Sequence, residues 1–208
     1  KSAKVNPVYL ASLSKQEVGG TKANTAITGE SFTYGGKTYS GLYNFYNIGA
    51  TSSSNPVYLG LVYANGGVNG TDTTYSRPWK SEQISILGGA QFIANRYIKY
   101  GQSTSYFKKW NVVYNYAASQ GLTTNKLYTN QYMTNIEAPR SEAKSTYSSY
   151  KSLGTLDDSF TFYIPVYNNM PDATTLSTAE NATNTLSSLS VSNCELSPSF
   201  TSSAILYS

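Results

Sequence analysis

Apolar and polar positions along this 208-residue chain fall into a helix, a hairpin and then a series of helices. Asn6-Pro7 predicts the first helix start, because Asn caps and Pro fits the first helical position. Val8, Leu10, Ala11 and Leu13 follow as an apolar stripe, and Gly19-Gly20 predicts the stop. In ESFTYGGKTYSG, aromatic and β-branched residues alternate on both sides of Gly35-Gly36, which predicts a β-hairpin with a primed turn. A dense aromatic stretch, LYNFYNIGATSSSNP, comes next, and the Gly/Asn/Thr-rich run from Gly66 to Thr74 predicts a mobile loop. The clearest helix is RPWKSEQISILGGAQFIANRYIKYG, with Ser81 as cap and Ile84, Leu87, Ala90, Ile93, Ala94 and Tyr97 as a wide apolar face. Gly88-Gly89 sits mid-helix at about 1 kcal/mol per glycine, which predicts close packing against another helix. YFKKWN and LYTNQYMTNIEAPRSEAKSTYSSYKSL continue in helical style, with Pro139 forcing a break or a new start. SFTFYIPVYNNMP alternates like a strand or an extended segment.

From about Asp172 the pattern changes. Residues 172–186 are polar, Thr-rich and linker-like, and residues 187–208 regain apolar alternation. The expected organisation is therefore a main domain over 1–171, a linker, and a short C-terminal segment. That segment is too short to bury a sandwich core by itself.

Composition narrows the chemistry. Histidine is absent, which removes His triads, His metal ligands and His proton shuttles together. The 11 acidic residues show no ligand-like spacing, so neither a metal nor another cofactor is expected. A single cysteine, Cys194, rules out an intrachain disulfide and reads as a small apolar filler. No stretch is long and apolar enough to span a bilayer, and no signal-peptide pattern opens the chain. The net charge of +4 is scattered, with FKKW the densest cluster. It suits an anionic wall polymer, while a basic run of the nucleic-acid kind is missing. Only 12% of residues are charged and 20 are tyrosines, a weakly charged, aromatic surface of the kind that meets carbohydrate.

One acid stands in an awkward place. Glu17 falls in the last turn of the first predicted helix, where the partial negative charge of the helix end opposes a carboxylate. Such a position favours the protonated form.

Four stretches occur in a fixed order: YLASLSKQEVGG, GESFTYGGKTYSGLYNFYNIGA, KSEQISILGGAQFIANRYIKYGQSTSYFKKWN and YTNQYMTNI. Together they resemble the glucosaminidase domains of bacterial autolysins, family 73 of the glycoside hydrolases, over roughly residues 3–170. The resemblance implies an α+β, lysozyme-like fold, mainly helical with a small β-hairpin lobe beside a cleft. It implies a secreted endo-β-N-acetylglucosaminidase at the bacterial cell wall. Such an enzyme cuts the N-acetylglucosaminyl-β-1,4-N-acetylmuramyl bond of peptidoglycan glycan strands, acting as a monomer. Glu17 is then the general acid, which must stay protonated near neutral pH to protonate the leaving oxygen.

An acid commonly stands in these autolysins where Glu30 stands. Glu30 is the candidate for placing or activating water, or for stabilising the oxocarbenium ion. Substrate assistance by the 2-acetamido group is a third route, with the Tyr132 hydroxyl as its support. YNFYNIGA matches the family's motif at the cleft floor: Asn44 and Asn47 are expected to bond the acetamido group or the backbone, and Tyr46 to stack on a sugar. Phe45 and Ile48 read as core. Trp79, Tyr106 and Trp110 either line outer subsites or pack inside. Relatives often carry His where Asn130 stands, so only hydrogen bonding is open to Asn130. LSSLSVSNCELSPSF resembles the first strands of a cadherin-like β-sandwich repeat. Two competing readings are a lytic transglycosylase, which uses one glutamate on a similar fold, and a non-catalytic wall-binding module.

Overall fold

The computed structural model describes residues 3–19, 24–51, 53–113, 116, 121–122, 128–133 and 135–163. The expected linker, the cadherin-like segment with Cys194, and the second half of SFTFYIPVYNNMP lie outside the described residues. Among the described residues the fold is a set of helices beside one two-stranded sheet.

Helix α1 spans Pro7–Val18, and the Asn6 side chain accepts from the Val8 and Tyr9 amides, as the Asn-Pro start predicts. A single turn, α2 (Thr25–Thr28), leads to strands β1 (Phe32–Tyr34) and β2 (Lys37–Tyr39). The strands pair antiparallel with Tyr34 opposite Lys37. Gly35 and Gly36 both have positive φ, 58° and 75°, which makes the two-residue primed turn. Helix α3 (Pro56–Ala64) starts at the Asn55 cap, and α4 (Glu82–Arg96) starts at the Ser81 cap. Helix α5 is Ser105–Trp110, capped by Thr104, and α6 is Ala138–Leu153. Pro139 lies in the first turn of α6, so it marks a new start. The YTNQYM stretch before it is not helical, with positive φ at Tyr128, Asn130 and Met133.

Two apolar clusters hold these elements. Val5, Leu13, Tyr46, Ile48, Ala64, Trp79 and Ile93 form the larger one. Phe32, Tyr39, Leu42, Leu61 and Val62 fix the hairpin onto α3. The α1 stripe is shifted from the predicted one: Ser12, Leu13 and Val18 are buried while Ala11 is exposed. The reason is α6, which packs along α1 and replaces apolar contacts with polar ones. The Asn6 amide donates to the Tyr150 hydroxyl at 2.8 Å, and the Ser12 hydroxyl donates to Ser145 Oγ at 2.9 Å.

Helix α4 also turns a different face inward. Ser85, Gly88, Gly89, Ala90 and Ile93 are buried, while Ile84, Ile86 and Leu87 are about 40% exposed. The glycines do admit a close neighbour, but it is not a helix. A Cβ on Gly88 would meet Trp79 Nε1 at 2.2 Å, and one on Gly89 would meet Tyr46 Cδ2 at 2.1 Å. Two aromatic rings lie against bare backbone. Gly89→Ala is therefore expected to overpack the core and lower stability by about 1–3 kcal/mol, against the small gain an alanine normally brings to a helix. A thermal melt checks this, and an unchanged or raised midpoint would contradict the packing.

The Gly66–Thr74 loop is pinned where mobility was expected. The Asp72 amide donates to the Gly66 carbonyl at 3.0 Å, and Asp72 Oδ1 accepts from the Thr74 amide at 2.9 Å. Buried Arg77 reaches Asp72 Oδ2 at 2.5 Å and lies over the Tyr63 ring. The Thr74 bonds and the Arg77 charge hold the Asp72 carboxyl below its ordinary range. Among the described residues, no helix is long and apolar enough to cross a membrane.

Candidate active site

Three helices converge on Glu17. It lies in the last turn of α1, one residue before buried Val18. From α5 comes Lys108, and from α6 comes Glu142, both about 3% exposed. The burial of Glu142 follows from the α6 pattern: Ala138, Glu142, Thr146 and Tyr150, four residues apart, form the buried face. Lys108 Nζ lies 2.8 Å from Glu142 Oε1, and the Ser105 hydroxyl donates to the other Glu142 oxygen. Lys108 also donates to the Tyr9 hydroxyl and sits 3.8 Å from the centre of the Tyr132 ring. Tyr132 is fixed in turn by its amide, which donates to the Lys108 carbonyl at 3.0 Å, and by an edge contact with Tyr97.

Glu17 feels the charges of Lys108 and Glu142. Its Oε1 is buried and has no hydrogen-bond partner among the described residues. Its pKa is raised from 4.5 to about 7. Burial is the main cause; the Lys108 charge opposes it and the Glu142 charge adds to it. A carboxylic acid held half-protonated near neutrality, with an unused oxygen, can pass a proton to a bound group. Burial also pulls Lys108 below its ordinary value, against the pull of the Glu142 carboxylate. Burial and the Glu17 charge keep the Tyr132 phenol well above its ordinary value, so it stays protonated as a hydrogen-bond donor.

The other sequence-predicted residues divide. Asn44 is fully buried, and its side chain is committed to backbone. Nδ2 donates to the Ile48 and Gly60 carbonyls, both at 2.8 Å, and Oδ1 accepts from the Ile48 amide at 3.0 Å. The expected alternative of bonding the backbone is the one found. Tyr46 is 2% exposed inside the main cluster and its phenol is pushed up to about 12 by burial, so a sugar-stacking face is not available. Trp79 is wholly buried against α4, with Nε1 donating to the Tyr75 carbonyl at 2.8 Å, which corrects the outer-subsite expectation to packing. Asn47 differs from Asn44. It is half-buried with φ 53°, and its Oδ1 has no partner among the described residues.

Glu30 is exposed at the foot of the hairpin, between the Gly29 cap of α2 and β1. Its amide bonds the Thr28 hydroxyl at 3.4 Å. Tyr106 and Trp110 line one open concavity with Ile136 and Arg140. Asn130 donates to the Arg96 carbonyl and to Gln102 Oε1, both at 2.8 Å. Among the described residues, no three His, Cys, Asp or Glu side chains are grouped to hold a metal ion.

The FKKW lysines are not a surface patch. Lys109, like Lys108, is buried, and it donates to the Met133 carbonyl at 2.6 Å. The sequence reading missed Lys108, Glu142 and Tyr9 as members of the site. A signal for Glu142 was present, an acid on the four-residue stripe that α6 buries. Lys108 offers none, since two adjacent lysines in a short helix look like a solvated face.

No family model matches the chain. It is 32% identical over 165 residues to the beta-N-acetylglucosaminidase of Bacillus subtilis, covering 78% of this chain and 15% of that protein. It is 31% identical over 167 residues to a bifunctional autolysin of Staphylococcus epidermidis, covering 78% of this chain and 10% of that protein. Among solved structures it is similar to a catalytic mutant of S. aureus autolysin E in complex with the disaccharide NAG-NAM. There the identity is 27% and the TM-score 0.45, with 71% of this chain and 53% of the other covered. The chain thus spans a small part, 10% to 15%, of the length of these curated relatives.

Proposed function

We propose that residues 1–171 form a lysozyme-like glucosaminidase domain that hydrolyses the N-acetylglucosaminyl-β-1,4-N-acetylmuramyl bond of cell-wall peptidoglycan outside the cell. The observation that carries the reading is Glu17: a half-buried carboxyl whose Oε1 is buried with no partner among the described residues and whose pKa burial raises to about 7, in a chain 32% identical to a named glucosaminidase. Glu17 gives its proton to the glycosidic oxygen as the bond to the anomeric carbon breaks, and water supplies the new hydroxyl. The protonated Tyr132 hydroxyl supports the charge that develops at the anomeric centre or on the acetamido group. Glu30, facing solvent in the hairpin lobe, is the second carboxylate proposed to place the water. Asn47 Oδ1 is suited to accept the acetamido N–H, since a buried acceptor without a partner costs stability until a ligand fills it. Tyr106 and Trp110 offer rings to an outer sugar.

Product analysis tests this. Purified peptidoglycan is digested, reduced with borohydride and read by mass spectrometry. Fragments with reducible N-acetylglucosamine ends are expected. Anhydro-muramyl ends would make the chain a transglycosylase, and wall binding without any release would make it a binding module.

A further inference from the structure

We infer that Lys109 is a positioning residue for Tyr132: its buried ammonium clasps the chain on both sides of that tyrosine and so sets where the phenol meets the substrate. The inference rests on the reading of Tyr132 as the hydroxyl that supports charge in the reaction.

The segment that carries Tyr132 needs holding. Residues 128–133 form neither helix nor strand, and three of the six have left-handed backbone: Tyr128 at φ 62°, Asn130 at 50° and Met133 at 63°. Asn tolerates that conformation, whereas Tyr and Met resist it, so the segment keeps its shape only while its surroundings impose it. Apolar contact does little of this. Tyr128, Thr129 and Gln131 are exposed, and Tyr132 is the residue of the segment that packs against the main cluster.

Hydrogen bonds from the neighbourhood of α5 do the holding. The Tyr128 amide donates to the Asn111 carbonyl at 3.1 Å, and Asn111 Nδ2 donates to the Thr129 carbonyl at 2.8 Å. Buried Gln102 and Asn130 are joined twice: Gln102 Nε2 donates to the Asn130 carbonyl at 3.0 Å, and Asn130 Nδ2 donates to Gln102 Oε1 at 2.8 Å. Lys109 closes the set. It is 3% exposed, and its Nζ donates to Gln131 Oε1 at 3.2 Å and to the Met133 carbonyl at 2.6 Å, one acceptor before Tyr132 and one after.

An ammonium suits this place. It carries three donors on a flexible stem, so one side chain reaches two acceptors. Its charge makes each bond stronger than a neutral one. Burying an ammonium is unfavourable in itself; here the bonds it makes order the segment that carries Tyr132. Between the two clasped neighbours, the Tyr132 ring centre lies 3.8 Å from Lys108 Nζ and 5.4 Å from the Tyr97 ring centre. A misplacement of about 1 Å in a reacting group can slow a reaction about 10²-fold, so a clasp on this segment bears on rate.

The test pairs kinetics on peptidoglycan fragments with fluorine NMR of the full chain carrying 3-fluorotyrosine in place of Tyr132. Lys109→Met keeps much of the volume and drops the donors. Its kcat is expected to fall about 10–100-fold while KM holds, and the fluorine line is expected to shift or split. Gln131→Met, at an exposed position, removes one acceptor and should show the same changes at smaller size; it decides the matter if Lys109→Met fails to fold. A folded variant with full kcat, or with an unmoved fluorine line, overturns the inference, since Lys109 would then serve stability alone. So does a rise in KM alone. Full activity in Tyr132→Phe would remove Tyr132 from the reaction and the positioning role with it. A wild-type protein that releases no sugar would sink the glucosaminidase reading, yet the fluorine line would still report whether Lys109 fixes Tyr132.

Discussion

Glu17→Gln is expected to slow wall hydrolysis about 10²–10⁴-fold, the range a general acid supplies, while wall binding and the melting profile at acid pH are kept. Gln has nearly the shape of the protonated acid but no proton to give. Among the described residues no hydrogen bond passes through Glu17 Oε1, so the substitution breaks no contact there. In the wild type, the rate should fall as pH rises through about 7, the value at which Glu17 ionises. A rate that stays flat well above pH 8 would remove Glu17 from the proton-transfer step.

The same substitution carries a stability signature of defined sign. Glu17 binds its proton more tightly folded, near 7, than at the ordinary value of 4.5. Stability is therefore full below about pH 4.5 and declines as pH rises to 7 and beyond, because the unfolded chain ionises more readily. Discounted for the partial exposure of Glu17, the loss is about 1–2 kcal/mol. Glu17→Gln should be more stable than wild type at pH 8 by that amount and equal to it at pH 4. Denaturant melts at the two pH values measure this directly. An acid kept where it harms stability is the usual mark of a site that needs it.

Asn44→Ala is the second large effect, and it is one of stability. The change strands the Ile48 amide and the Ile48 and Gly60 carbonyls inside the protein, which leads to an expected loss of about 3–5 kcal/mol, or roughly 10 °C in melting temperature for a domain of this size. Asn44→Asp should fall nearly as far, since a carboxylate can accept from Ile48 but cannot donate to the two carbonyls. If Asn44 instead contacted the sugar, both variants would melt like wild type and raise KM.

Much of the local structure was legible in the residues. Asn6-Pro7, Ser81 and Gly35-Gly36 mark their caps and turn because the signals act within a few residues of backbone. Pro139 is of the same kind: its ring and missing N–H decide only what happens at its own turn. The faces of the helices were less legible. Ile84 and Leu87 read as core by period, yet α4 buries its glycines, because Trp79, just before the helix, and Tyr46, from a distant stretch, need bare backbone to approach. The Gly66–Thr74 loop read as mobile from composition, yet Asp72 and Arg77 pin it through contacts that composition cannot display.

The site shows the same division. Local chemistry placed Glu17 at a helix C-terminus and so gave a reason for a raised pKa. The larger reason, burial, with the Glu142 charge adding to it and the Lys108 charge opposing it, comes from tertiary packing. The sequence by itself determined where α1 and α4 start, where the hairpin turns, which acid stands at the end of α1, and that histidine chemistry is closed to this protein. The tertiary structure alone decided that Asn44, Tyr46 and Trp79 face inward and that a lysine from one helix and a glutamate from another meet in a buried ion pair. Backbone conformation follows from neighbours in the chain, whereas charge burial follows from neighbours in space.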